Sequence, residues 1–252
     1  MSTAKPKRSQ VSFRAPNPQA LIRLFCFPYA GGGSATYRDW QQKLPADIEV
    51  AAVQLPGREW RIEEPPLTDM KAMAADALES IRPFLDKPYA LLGTSMGGTL
   101  IFELARLLRA EGLPAPRCLL PFACGAPHTP ETEIFHNLPD DGLLEEIKGF
   151  GVMVDEITAH PEMLDILLPI LRADCTAHET NEYVEEAPFD FPIWVYGGLG
   201  DDTVERERLD AWSIHTAGEC RVHMIYGGHL FVDAMPAQLL DSLARRLYQA
   251  AA

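Results

Sequence analysis

The fold of this chain is decided by Tyr89-Ala-Leu-Leu-Gly-Thr-Ser-Met-Gly-Gly98. Tyr89–Leu92 has the length and apolar character of a buried strand, and from Gly97 to Ala110 the apolar positions recur at helical spacing. Gly93-Thr94-Ser95-Met96-Gly97 is therefore G-x-S-x-G at a strand-to-helix turn, the context in which that pattern forms a nucleophile elbow. The glycines have a steric purpose, because the serine of an elbow sits on a strained turn and side chains at Gly93 and Gly97 are expected to collide with neighbouring backbone. Ser95 then projects its hydroxyl at the C-terminal edge of a sheet, and the Met96 N–H, at a helix N-terminus, is available to an oxyanion.

On either side of this turn, strand-like runs occur at Leu21–Phe27, Ile48–Leu55, Cys118–Cys124, Ile193–Tyr196 and Arg221–Tyr226, each ended by Gly or Pro. Helical patterns lie between most of them: Thr68 to Leu85, with Thr68 as the expected cap and Asp69 in the first turn, and Pro236 to Ala250. Strands alternating with helices predict an α/β fold with a mostly parallel sheet covered on both faces. Residues 125–192, 68 in all, are too many for one crossover and rich in helix formers at Asp140–Gly149 and Pro161–Asn181. They predict an inserted helical lid over about 128–190. Residues 1–20 are polar, Pro-rich and aperiodic, and are expected to form a flexible arm ahead of a single domain over 21–252.

Composition excludes several classes. The chain has 252 residues, 47% hydrophobic and 23% charged, which is ordinary for a globular domain and unlike disordered, collagenous or coiled-coil sequence. Its 22 basic against 36 acidic residues give a net charge of −14, a field that repels nucleic acid and anionic membranes. An acidic protein partner must then be met by a local basic patch or by apolar contact. No apolar run is long enough to span a bilayer, and MSTAKPKRSQ is not followed by the apolar stretch of a signal peptide, so a cytoplasmic location is expected. Five cysteines without CxxC spacing (Cys26, Cys118, Cys124, Cys175, Cys220) are read as buried thiols, with neither a disulfide framework nor a metal site.

A serine nucleophile needs a base and an orienting acid, which in this fold follow in the order serine, acid, histidine. Of seven histidines only His229 follows a late strand in a tight turn, Tyr226-Gly227-Gly228-His229, just ahead of a terminal helix. At the end of the preceding strand, Gly197-Gly-Leu-Gly-Asp201-Asp202 offers two acids; Asp201 is preferred and Asp202 held in reserve, since adjacent loop carboxylates point apart. The second oxyanion donor is expected from the loop after the first strand, Phe27-Pro28-Tyr29-Ala30-Gly31-Gly32-Gly33, as the main-chain N–H of Tyr29 or Ala30. That loop lacks G-K-[ST] and a G-x-G-x-x-G with its acidic partner, which argues against nucleotide binding.

With these residues in view, the chain resembles the type II thioesterases of nonribosomal peptide and polyketide assembly lines, α/β-hydrolases that act on carrier proteins. The resemblance is carried by Phe27–Gly33, Gln54-Leu-Pro-Gly-Arg-Glu59 and its continuation to Pro65, Gly93–Gly98, Leu168-Pro-Ile-Leu-Arg-Ala-Asp174, Gly197–Val204 and Gly227–Phe231. The L-P-G-R and L-R-A-D segments are more specific than the elbow, because general esterases lack them. The resemblance implies Ser95 as nucleophile, His229 as general base and Asp201 as orienting acid, with no bound cofactor. It implies a stand-alone, monomeric enzyme clearing stalled or wrongly primed acyl groups from the phosphopantetheine arm of carrier domains. Thr94 and Tyr29 depart from the family's usual histidines, outside the triad. Arg58, Arg61 and Arg172 are read as partners of nearby carboxylates such as Glu59, Glu63 or Asp174 in preference to ligands of phosphopantetheine. Phe135, Phe150, Met153 and Met163 are candidates for lid core or an acyl channel. The competing readings are a small-ester carboxylesterase, a product-releasing thioesterase and a non-catalytic carrier-binding subunit.

Overall fold

The structure, a computed structural model, describes residues 9–129, 134–150 and 160–251. Seven strands, β1 (Val11–Phe13), β2 (Ile22–Phe27), β3 (Ile48–Val53), β4 (Tyr89–Thr94), β5 (Leu119–Phe122), β6 (Ile193–Gly198) and β7 (Cys220–Ile225), form one sheet in the order β1-β3-β2-β4-β5-β6-β7. All neighbours are parallel except β1, which runs antiparallel to β3. The helices in chain order are α1 (Trp40–Lys43), α2 (Met70–Ile81), α3 (Met96–Ala110), α4 (Asp140–Gly149), α5 (Pro161–Glu179), α6 (Arg206–Asp210), α7 (Phe231–Ala234) and α8 (Ala237–Ala251). This is the α/β-hydrolase architecture.

Alternation along the central strands separates two cores. On β2, Phe25 and Phe27 pack with Met73, Ala77 and Leu100 of α2 and α3, whereas Leu24 and Cys26 face Trp40 of α1 and Leu239, Leu243 and Leu247 of α8. The central strands β2 to β6 are buried throughout, as expected where helices cover both faces of a parallel sheet. Each fully buried Leu or Phe in these layers contributes roughly 1.5–3 kcal/mol.

Residues before Leu21 are not all loose, because Val11–Phe13 add an edge strand, with Val11 paired to Val53 and buried in the same core as Phe25. Three residues are too few to show a period, and only β3's open edge makes them a strand. The α2 cap is Asp69 and not Thr68: the Asp69 carboxylate accepts from Ala72 N–H at 2.7 Å, satisfying one of the free donors of the first turn.

Between β5 and β6 the described part of the connection contains α4 and α5, packed on each other through Leu143, Leu144, Ile147, Leu171 and Cys175 in a cluster that also touches Ala30. Both lie at the C-terminal edge of the sheet, where the elbow opens. Among the described residues no helix is long and apolar enough to cross a membrane.

Candidate active site

Ser95 occupies the turn between β4 and α3 at φ 52°, ψ −120°, a region that costs a non-glycine residue about 1–3 kcal/mol. The turn is held by Ser95 N–H donating to Phe122 C=O at 2.8 Å and Gly98 N–H to Ser95 C=O at 2.7 Å. A Cβ at Gly93 would lie 1.9 Å from Gly97 O, and one at Gly97 would lie 2.6 Å from Phe27 O. Only hydrogen at both positions lets α3 approach the strand before it and the loop beside it.

The three residues named from sequence meet here. Ser95 Oγ lies 3.0 Å from His229 Nε2, and His229 Nδ1 lies 3.0 Å from Asp201 Oδ2. Asp202 is exposed and Asp201 buried against the imidazole, which separates the two acids. A participant absent from the sequence reading is Thr203: its N–H and hydroxyl donate to Asp201 Oδ1 at 3.0 and 2.6 Å, and the same hydroxyl lies 2.9 Å from His229 Nδ1. The network is satisfied by one assignment, with Nδ1–H shared between Asp201 and the Thr203 oxygen and Nε2 left to accept the Ser95 proton. The spacing Asp201-x-Thr203 was a usable signal, since an aspartate accepting from the N–H two residues on is an Asx turn. Burial pushes the Asp201 carboxyl up, but the bond and charge of His229 and the two Thr203 donors outweigh it, and it sits below the ordinary aspartate range.

Ser95 and His229 line a cavity of about 300 Å³ whose walls are mostly apolar and include Tyr29, Ala30, Met96, Phe150 and Leu171. The backbones named for the oxyanion thus border the same space as the serine. Phe150 lies against His229 with ring centroids 5.0 Å apart, screening the imidazole from water. Phe135 also lines the cavity, Met163 is exposed, and Met153 lies outside the described residues. Cys175, also in the wall, has its thiol pushed up to about 12, chiefly by burial and then by Glu179 and Asp174, so it is a protonated wall residue at neutral pH.

The thioesterase-domain family profile matches residues 22–249. The chain belongs to the thioesterase domain family. The gramicidin S biosynthesis protein GrsT of Aneurinibacillus migulanus is 36% identical over 232 residues, covering 92% of this chain and 91% of that protein. Among solved structures, the RedJ thioesterase of the prodiginine biosynthetic pathway in Streptomyces coelicolor has a TM-score of 0.83 at 36% identity, covering 94% of this chain and 90% of that one. The type II thioesterase BorB of the borrelidin biosynthetic cluster has a TM-score of 0.83 at 30% identity, covering 97% and 98%.

Against that family background the departures find structural explanations. Thr94 Oγ1 meets Tyr37 OH at 3.0 Å, and that phenol donates to Phe27 C=O at 2.7 Å, bracing the loop after β2. Tyr29 OH donates to Asp233 of α7 at 3.1 Å; burial and the nearby carboxylate push the phenol up to about 12, so it stays protonated. The three arginines pair with carboxylates, but of those named from sequence only Asp174 is a partner among the described residues, and Glu59 accepts instead from Ser34 and Ala35. Arg61 forks onto Asp76 at 2.6 and 2.7 Å and reaches Glu64, Arg172 pairs with Asp140 at 2.6 Å, and Arg58 is buried against Asp174.

Proposed function

We propose that this chain hydrolyses acyl and aminoacyl thioesters carried on the phosphopantetheine arm of carrier domains, removing stalled or wrongly primed groups during nonribosomal peptide or polyketide synthesis. The observation that carries the reading is the unbroken chain Ser95 Oγ, His229, Asp201 opening into an apolar cavity. Membership of the thioesterase family and the likeness to biosynthetic thioesterases support the thioester over other acyl linkages.

In this reading His229 Nε2 takes the Ser95 proton as Oγ attacks the thioester carbonyl. The carbonyl oxygen gains the charge and rests on Met96 N–H and the N–H of Tyr29 or Ala30. When the C–S bond breaks, His229 returns the proton to the leaving sulfur. Water then attacks the acyl-enzyme, giving its proton to His229, and as the C–Oγ bond breaks His229 hands that proton to Oγ, releasing the acid and restoring Ser95 and the neutral imidazole. Asp201, held by Thr203, keeps the imidazole in the tautomer this cycle needs and stabilises the imidazolium that forms twice in it. The connection over 128–190, with α4 and α5, acts as a lid that admits the arm and excludes bulk water. The enzyme works in the cytoplasm as a monomer.

The deciding experiment is mass spectrometry of carrier domains loaded with short, long and aminoacyl groups, incubated with wild type and Ser95→Ala. Acyl mass lost only with wild type is the expected result. An unchanged panel with folded protein, or equal loss with Ser95→Ala, refutes the reading, and faster cleavage of matched oxygen esters moves the substrate class to esters.

A further inference from the structure

The two segments that most distinguish this chain from general esterases meet in one buried ion pair. Arg58, from the loop after β3, forks onto Asp174 of α5, with Nη1 to Oδ2 at 2.5 Å and Nη2 to Oδ1 at 2.7 Å. The aspartate side chain is 0% exposed and the arginine 5%. Neither residue lines the cavity, so neither contacts an acyl group there. What they do contact is the loop after β2: Asp174 Oδ2 also accepts from Gly31 N–H at 2.8 Å, and Arg58 Nη1 also donates to Gly32 C=O at 3.1 Å.

That loop is a tight turn closed by Gly32 N–H donating to Tyr29 C=O at 2.9 Å, with Gly31 at φ 77°. The Gly31 N–H bond fixes the Ala30–Gly31 peptide plane and the Gly32 C=O bond fixes the Gly32–Gly33 plane, so together with the Gly32 N–H to Tyr29 C=O bond they hold the turn from which the Tyr29 and Ala30 N–H groups project. The rest of the Gln54–Glu59 segment grips the loop's far side, since Gln54 Oε1 accepts from Ser34 N–H at 3.1 Å and Glu59 accepts from Ser34 Oγ and Ala35 N–H at 2.8 and 2.9 Å.

Stability alone does not account for this pair. A buried ion pair is often replaceable by apolar residues of similar size with no loss of stability. Apolar residues cannot accept from Gly31 N–H or donate to Gly32 C=O. A planar guanidinium sharing one carboxylate with a backbone donor sets position on both sides of the turn at once.

We propose that Arg58 and Asp174 are positioning residues for the reaction, holding the loop after β2 so that its N–H groups stand where the thioester oxygen becomes an oxyanion, and tying that loop to helix α5 of the insertion. The inference rests on the function proposed above. It assigns the charged residues of the L-P-G-R and L-R-A-D segments, Arg58 and Asp174, to transition-state geometry and not to contact with the acyl group.

The test is the double variant Arg58→Met/Asp174→Leu, which removes both charges together, beside Arg58→Lys, which keeps the charge but not the fork. The substrate is whichever loaded carrier the wild type cleaves fastest. The double variant, which leaves Gly31 N–H and Gly32 C=O without these partners, should melt lower by about 5–15 °C while still folding and lose about 10²-fold in kcat, the cost of a displaced oxyanion donor. KM should stay within about threefold and the pH profile of kcat unchanged, because Ser95, His229 and Asp201 are untouched. Arg58→Lys should lose about 10-fold in kcat at the same KM, a single hydrogen bond's worth. A folded double variant with wild-type kcat overturns the inference, as does a loss confined to KM; if the double variant does not fold, wild-type kcat in Arg58→Lys overturns it. Ser95→Ala run in parallel separates the two levels: if it retains turnover the proposed function has failed, whereas an inactive Ser95→Ala beside a fully active double variant sinks only the positioning role.

Discussion

Replacing Gly97 by alanine tests the oxyanion geometry without touching the serine, the histidine or the aspartate. A Cβ at this position would lie 2.6 Å from Phe27 O, 2.7 Å from Pro28 O and 3.1 Å from Phe27 C, all main-chain atoms that cannot turn aside as a side-chain end would. Ordinary contact begins near 3.4 Å, so α3 and the loop after β2 must part by about 0.8 Å. Met96 N–H lies on one side of that gap and Tyr29 and Ala30 on the other. An oxyanion bonded at about 2.9 Å to both sides would find one donor near 3.7 Å, beyond hydrogen-bonding range. Loss of one such donor costs about 10²–10³ in kcat, or roughly 3–4 kcal/mol of transition-state stabilisation. Stability should change far less, because overpacking of about 1–3 kcal/mol is offset by up to about 1 kcal/mol of helix propensity gained over glycine. Single-turnover cleavage of a loaded carrier, followed by mass spectrometry beside a thermal melt, measures both quantities. A folded Gly97→Ala protein with kcat within threefold of wild type would mean that the two walls do not jointly hold the oxyanion.

Asp201→Asn should leave the fold intact and reduce kcat by about 10⁴, because an amide cannot hold the imidazole in the tautomer that accepts the serine proton; activity above a tenth of wild type would displace Asp201 from its role. Thr203→Val removes a donor to Asp201 and a neighbour of His229 Nδ1, and a lost hydrogen bond to a charged carboxylate of about 1.5–3 kcal/mol predicts about 10- to 100-fold lower kcat at unchanged KM; an effect on KM alone would contradict this. His215, 2.9 Å from His128, has its imidazole held down to about 4 by burial and then by the charges of His128 and Arg106. The unfolded chain protonates this group near its ordinary 6.5 and the folded one does not until about 4, so its stability contribution is full above that range and falls as pH drops through it. The slope it adds approaches about 1.4 kcal/mol per pH unit, and His215→Phe should flatten the urea midpoint between pH 6.5 and 4.5 even though His223, shifted the same way, still titrates. Parallel curves for the two proteins would exclude His215 as a contributor.

How far the molecule was readable in advance varies with the range of the interactions that form each part. The strand and helix succession and the elbow follow from periodicity and glycine placement, because burial on both faces and a strained turn each restrict which residues are tolerated locally. That Ser95 and His229 would meet an acid from the end of β6 was likewise legible, since chain order and strand ends fix which loops converge beside the elbow. The Val11–Phe13 strand was not legible, because a three-residue edge strand owes its existence to the free edge of β3. Nor was the choice between Asp201 and Asp202 decided by composition: it depends on which of two adjacent carboxylates the β6 and β7 strand ends turn toward His229, and Thr203 settles it by binding one of them. Arg58 illustrates the same divide most fully. Its charge and the acidity around it announced a partner, but its partner lies 116 residues away on α5, and that the pair grips the Gly31–Gly32 turn emerges only when three loops converge. Local pattern thus determined which chemical groups the chain would present, and tertiary packing decided which of them share a hydrogen bond, because a bond about 3 Å long is set by the register of elements far apart in sequence.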